Sequence, residues 1–205
     1  MSTYAVIDFE TTGLSPGNGA RPTEIAVVLV SNDRIIDRYQ SLMNPGIPIP
    51  YEIQALTGIT SEMVRNAPGV EVVMREAADF AGTHPLVAHN AAFDRKFWDA
   101  ELRLIHKRRR QEFACSMLLA RRLYPNAPNH KLGTLIQTLR LPATGRSHRA
   151  LADAEATAYL LLHIQHELQS RFRLSAVSHE LLLAIQSAPR GQLETCIHQA
   201  RGAGK

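Results

Sequence analysis

Cysteine is nearly absent: the chain of 205 residues has two, Cys115 and Cys196. They stand far apart, and neither has a neighbouring cysteine or ligand pattern. This excludes a disulfide framework and a cysteine-based zinc site, and Cys115 is expected to serve as a small buried hydrophobe. Long uninterrupted apolar runs are also missing, which excludes an obvious membrane-spanning helix. The chain enters its first strand at once, leaving no room for a secretory leader, so a soluble, cytoplasmic protein is expected. Nor is there much excess of one charge: the net charge is +4 and the isoelectric point near 9.3. That mild surplus permits contact with a polyanion such as nucleic acid without requiring it. What is present is an ordinary globular composition, 45% hydrophobic and 20% charged, enough for one domain with a sizeable core and an appendage.

The chemistry begins in the first strand, Tyr4 to Glu10, which runs into Thr11-Thr12-Gly13-Leu14. Side chains alternate along a strand, so Ala5 and Ile7 face one way while Val6, Asp8 and Glu10 face the other. Two carboxylates on one face of an apolar strand repel each other and resist joint ionisation. They could cap the strand end and face water; a divalent cation between them accounts better for the pair.

Thr23 to Val30 predicts a second strand, Asn32-Asp33 a turn, and Arg34 to Tyr39 a third strand, completing a meander. Ser15 to Gly19 has loop chemistry. Glu24, an acid entering an apolar strand, is expected to hydrogen-bond the loop of the site rather than bind metal. Prolines between Asn44 and Pro50 enforce an extended connection. Tyr51 to Leu56 predicts a short helix ending at Gly58, Thr60 to Val64 another turn, and Val70 to Ala81 a helix on the sheet. Pro85 to Ala88 predicts a buried strand that delivers His89-Asn90-Ala91-Ala92-Phe93-Asp94. Asn90 is suited to cap the next helix, whose expected buried stripe is Phe93, Phe97, Ala100 and Leu104. Asp94 in its first turn also fits ordinary helix-dipole compensation. The basic run His106 to Arg110 suits a solvated helix end or a phosphate-contacting patch equally well.

Phe113 to Cys115 predicts a strand, and Met117 to Leu123 and Lys131 to Leu139 two helices. Strands alternating with helices argue for an α/β layered domain with some parallel pairing. Ser147 onward opens a long helix to about Leu168, with His148 at its start and Asp153 in its early turns. Gln137 to Pro142 superficially resembles a sliding-clamp peptide, but it falls in a helix with core-facing Leu135 and Leu139. Beyond lies a helical extension, residues 169–205. Ser175 to Ser187 carries the apolar stripe Val177, Leu181, Leu182 and Ile185, and Gly191 to Ala200 is a further helical stretch. This extension could fold back, pair with a second copy as a homodimer, or bind another protein.

Taken together, Asp8-Phe9-Glu10-Thr11-Thr12-Gly13-Leu14, His89-Asn90-Ala91-Ala92-Phe93-Asp94, and His148 followed five residues later by Asp153 resemble the three motifs of the DnaQ-like 3′–5′ exonucleases of the DEDDh subclass. The resemblance covers about residues 3–168 and looks most like the exonuclease X and proofreading epsilon-subunit branch, with Cys115-Ser116-Met117 and Ala120-Arg121-Arg122-Leu123 similar to exonuclease X. It implies a ribonuclease H-like fold, a mixed five-stranded sheet in which an antiparallel meander is joined to parallel strands and flanked by helices, with an exonuclease domain at 1–168 and the extension at 169–205. It implies two Mg²⁺ or Mn²⁺ ions held by Asp8, Glu10, Asp94 and Asp153, with His148 as general base. Arg149 stands four before Asp153, where related enzymes of another subclass have tyrosine, which keeps the base assignment on His148. Thr11, Thr12, Gly13 and Leu14 would contact the terminal nucleotide, and Asn90 would position the scissile strand. The implied substrate is a single-stranded DNA 3′ end, in proofreading or repair. The implied alternatives are the same chemistry on RNA, or a module that recruits a polymerase or repair complex through its C-terminal helices.

Overall fold

The first strand, β1 (Tyr4–Thr11), lies at the centre of the sheet because both its faces are apolar up to Ile7 and both its edges are paired. In the computed structural model, which describes residues 3–202, β1 runs antiparallel to β2 (Pro22–Ser31), and β2 runs antiparallel to β3 (Arg34–Leu42). Asn32 and Asp33 both adopt left-handed backbone (φ 51° and 59°), the conformation of a two-residue hairpin turn whose twist matches that of the strands. On its other edge β1 pairs in parallel with β4 (Leu86–Ala88), and β4 pairs in parallel with β5 (Phe113–Cys115). The order β3-β2-β1-β4-β5 is the mixed five-stranded sheet expected from the sequence.

Alternation along β1 then sorts the core into two layers. Ala5, Ile7 and Phe9 pack with α3 (Val70–Ala81) and α4 (Ala92–Leu104), burying Val73, Met74, Ala77, Phe97 and Trp98. Tyr4 and Val6 face α5 (Ser116–Leu123), α6 (Leu132–Thr138) and the long α7 (Ala150–Phe172). Two short helices, α1 (Tyr51–Thr57) and α2 (Ser61–Arg65), form a small satellite core around Ile49, Ile59 and Val64. Gly58 ends α1 at φ 73°, where a side chain would be strained and its Cβ would stand 2.5 Å from the Arg146 guanidinium.

The C-terminal segment folds back. Helices α8 (His179–Ser187) and α9 (Leu193–Gly202) place Leu182, Ile185, Leu193 and Ile197 in the same apolar cluster as α5 and α7. Residues 203–205 of the expected extension lie outside the described residues.

Several local expectations are corrected. Thr60 caps a real helix, α2, by accepting from the Met63 N–H, and Pro16–Asn18 forms a single 3₁₀ turn. Helix α7 continues to Phe172, and α8 starts at His179 because Ser178 caps it there. The buried stripe of α4 is Asp94, Phe97, Trp98, Glu101 and Leu102, while Leu104 is 57% exposed. The helix is rotated because Glu101 turns inward to the Arg21 guanidinium at 3.0 Å, a pairing between distant segments that periodicity cannot reveal. Among the described residues no helix is long and apolar enough to cross a membrane.

Candidate active site

Strand β1 outruns β4: their pairing ends at Val6 and Val87, so the last residues of β1 project past the parallel edge. The Phe9 N–H, lacking a ladder partner there, donates to Asp94 Oδ1 at 3.2 Å. That bond draws the first turn of α4 onto β1 beside Asp8 and Glu10. From the other layer, α7 brings Asp153, whose Oδ2 accepts from the His148 N–H at 2.9 Å. His148 sits at φ 60°, a left-handed corner that turns the chain into α7.

The start of α7 is fixed by Glu24, fully buried on β2 opposite Glu10. Its carboxylate accepts from Arg149 Nε and Nη2 (3.1 and 2.8 Å), from the Ala150 N–H (2.9 Å) and from Gln40 Nε2 (2.7 Å). All of its acceptor capacity is used in structure, as expected of a partner of the site's loop. Arg149, held by this carboxylate, has its guanidinium pKa raised further.

These elements enclose a cavity of about 350 Å³ lined by Asp8, Glu10, Thr11, Gly13, Leu14, Asn90, Asp94, His148 and Asp153. Nine of the ten residues singled out from the sequence therefore meet at one place; Thr12 does not. Its hydroxyl accepts from the Arg21 N–H and its own N–H donates to the Arg21 carbonyl, so it braces the loop from behind. Thr11 braces it too, donating to the Gly13 carbonyl at 2.6 Å, while Leu14 stands 81% exposed at the rim. Asn90 lines the cavity but is not the helix cap: it is left-handed at φ 62°, and its carbonyl accepts from Phe93 N–H. No local signal marks Ile53, Leu56 and Thr57 as lining, because α1 reaches the site only through tertiary packing; Phe93, from the second motif on α4, completes this apolar wall. His89, the first residue of the second motif, lines the cavity as well. Its Nδ1 and Nε2 bond Ser116 Oγ and the His130 carbonyl, and burial lowers its pKa to about 4, so it is a neutral strut.

The carboxylates are electrostatically frustrated. Burial, then repulsion from Asp94, Asp153 and Glu10, pushes Asp8 well above the usual range. Burial, then Asp153 and Glu24, raises Glu10 to about 8. Asp94, 2% exposed, rises to about 7 by burial despite its backbone hydrogen bonds, and burial raises Asp153 too. Such a set is relieved by a hard cation that takes carboxylate oxygen. Ligand atoms of Glu10, His148 and Asp153 already lie within 4.8 Å of one another. Asp8 and Asp94 line the same cavity outside that group, and the donor set fits divalent metal.

The family pattern described as exonuclease, of RNase T type, matches residues 5–161. The chain belongs to this exonuclease family. Over 161 residues, 78% of the chain, the exonuclease domain is 41% identical to the PolC-type DNA polymerase III of Bacillus cereus, and it is equally similar to that of Bacillus subtilis. It spans 11% of the length of those relatives. Among solved structures, exonuclease X in complex with 5′ overhanging duplex DNA is 31% identical, with a TM-score of 0.71 over 90% of this chain and 99% of that one. The nuclease domain of 3′hExo, a DEDDh family member bound to rAMP, shares the fold at 21% identity and a TM-score of 0.69 over 86% of this chain and 96% of that one. The protein is thus a DnaQ-like exonuclease domain of ribonuclease H-like fold, related to exonuclease X and to a segment of PolC-type DNA polymerase III.

Proposed function

We propose that this domain is a metal-dependent 3′–5′ exonuclease of the DEDDh subclass that shortens single-stranded DNA and releases nucleoside 5′-monophosphates. The observation that carries the proposal is the convergence of four carboxylates and one exposed histidine, from three distant motifs, on a single cavity at the projecting end of β1. Asp8, Glu10, Asp94 and Asp153 would hold two divalent cations, Mg²⁺ or Mn²⁺, whose charge would activate water and stabilise the leaving oxygen of an in-line displacement.

The chain's own groups do the rest. Thr11, Gly13 and Leu14 receive the terminal nucleotide, the backbone at Gly13 allowing close approach and Leu14 meeting a base face. Ile53, Leu56 and Phe93 supply the opposite apolar wall, and Asn90 positions the scissile strand. The imidazole of His148 accepts the proton of the attacking water. The oxygen of that water bonds to phosphorus as the bond to the 3′-oxygen of the preceding nucleotide breaks, leaving a new 3′-hydroxyl and a free 5′-monophosphate. Asp153, through the His148 N–H, holds the loop that presents the imidazole.

DNA is favoured over RNA by the relatives of higher identity: a DNA polymerase at 41% and an exonuclease bound to DNA at 31%. A role as a recruiting module receives less support, since the apolar stripes of α8 and α9 are spent on the domain's own core. The test is digestion of a 5′-labelled single strand with Mg²⁺ or Mn²⁺. A ladder shortening from the 3′ end, abolished by EDTA and by Asp8→Ala and lowered by His148→Ala, is expected. Faster digestion of a matched RNA would reassign the substrate, and no digestion of either polymer would overturn the proposal.

A further inference from the structure

The basic run after α4 surrounds a hollow. Its residues line a second, shallow cavity of about 650 Å³ built from Asp99, Arg103 and the segment His106 to Arg110, with Glu112. Two of its cations are fastenings: Arg109 is gripped by both carboxylate oxygens of Asp99 (2.7 and 3.1 Å) and lies over the Phe113 ring, and Lys107 reaches Asp79 at 2.5 Å. They hold the segment in place. Arg103, His106, Arg108 and Arg110 are exposed, and their side chains have no hydrogen-bond or acidic partner among the described residues. Three unpaired guanidinium groups gathered around one hollow repel one another and attract a polyanion.

The position of the hollow says which polyanion. Helix α4 begins at the catalytic cavity with Asp94 and ends at this one. Lys96 donates to the Leu14 carbonyl at 3.1 Å, at the rim of the active site. Arg103 lies seven residues on, hence on the same exposed face, and it leads into the cluster. The 13 residues of α4 span about 20 Å, the length of about six nucleotides of a helically stacked strand, at the roughly 3.4 Å rise of one strand of a duplex. Resting on the exonuclease proposal above, we infer that the exposed face of α4 and its basic hollow form a remote phosphate-backbone track that grips a nucleic-acid strand several nucleotides from the bond being cut. The track reads charge and adds length preference, not sequence.

The test compares the wild type with the triple variant Arg103→Glu, Arg108→Glu, Arg110→Glu, and with the milder triple Gln variant, on single strands of 3 and 20 nucleotides. For the 20-nucleotide strand KM should rise about tenfold with kcat nearly unchanged, and the salt dependence of binding should fall by about two logarithmic units per decade of salt, as for three lost phosphate contacts. Cleavage of the trimer should not change, which also shows that the variants are folded. Equal losses on both lengths, or no loss on either, would overturn the track and leave the cluster a solvated helix end. If the wild type cuts neither strand, the exonuclease proposal fails alone. Binding of a fluorescent 20-nucleotide strand in EDTA then decides the track, weaker binding by the triple variants supporting it and unchanged binding overturning it.

Discussion

At the scale of single residues the site is a set of carboxylates held where they would rather be neutral. Glu10 moves from an ordinary 4.5 to about 8, and Asp94 from 3.8 to about 7. Between those limits the cation-free fold binds more protons than the unfolded chain. The stability these groups contribute is therefore full below pH 4 and is lost as pH rises through 7 and 8. In EDTA the thermal midpoint should fall from pH 5 to pH 8, and Mg²⁺ should flatten the profile by taking the place of the protons. Glu10→Gln should raise the EDTA midpoint at pH 8 by a few degrees, on the scale of about 2–4 °C per kcal/mol for a chain of this size; a lower midpoint would contradict the strain described here. His148 is exposed, so His148→Ala should leave the midpoint alone while kcat drops about 10²–10⁴-fold.

Elements act by delivering those residues, and α7 depends most on one partner. Glu24 ties its first turn to β2 through Arg149 and the Ala150 N–H. Glu24→Ala would strand these donors and the Gln40 amide. Because the Arg149 side chain is about one-third exposed, solvent softens the loss to about 2–3 kcal/mol, measurable by urea unfolding. The same variant should lower kcat, since Asp153 and the His148 corner both hang on that turn. Retained kcat with lost stability would separate Glu24 from the site. Helix α4 shows the complementary case: its N-terminus is fastened by Asp94 to Phe9 and its flank by Glu101 to Arg21, so one helix serves both the catalytic cavity and the basic hollow.

For the whole molecule the consequential feature is that α8 and α9 complete the layer formed by α5 and α7. Leu182 and Ile185 are fully buried in that layer, and Gln186 crosses to β5, its Oε1 accepting from the Cys115 N–H at 2.6 Å and its Nε2 donating to the Phe113 carbonyl. Leu182→Ala should cost about 2–5 kcal/mol. Removal of everything after Phe172 should expose the α5–α7 face and give aggregation or a much lower midpoint. A truncated chain as stable as the full one would mean that the extension is a separate appendage.

The sequence by itself determined what depends on near neighbours. The period of two along β1 put Asp8 and Glu10 on one face, the turn residues Asn32 and Asp33 closed the first hairpin, and apolar spacing located α3 with its correct ends. The three motifs could be read because their residue types and intervals lie within short segments. Tertiary structure decided whatever depends on a partner far along the chain. Arg21 turned Glu101 inward and rotated the stripe of α4. Arg21 also drew Thr12 away from the cavity, and packing of α1 supplied an apolar wall with no local mark. The left-handed backbone at Asn90 and His148 belongs to the same class. An αL residue is unfavourable alone, and these two corners persist because the strands and helices on either side have already fixed where the chain must go.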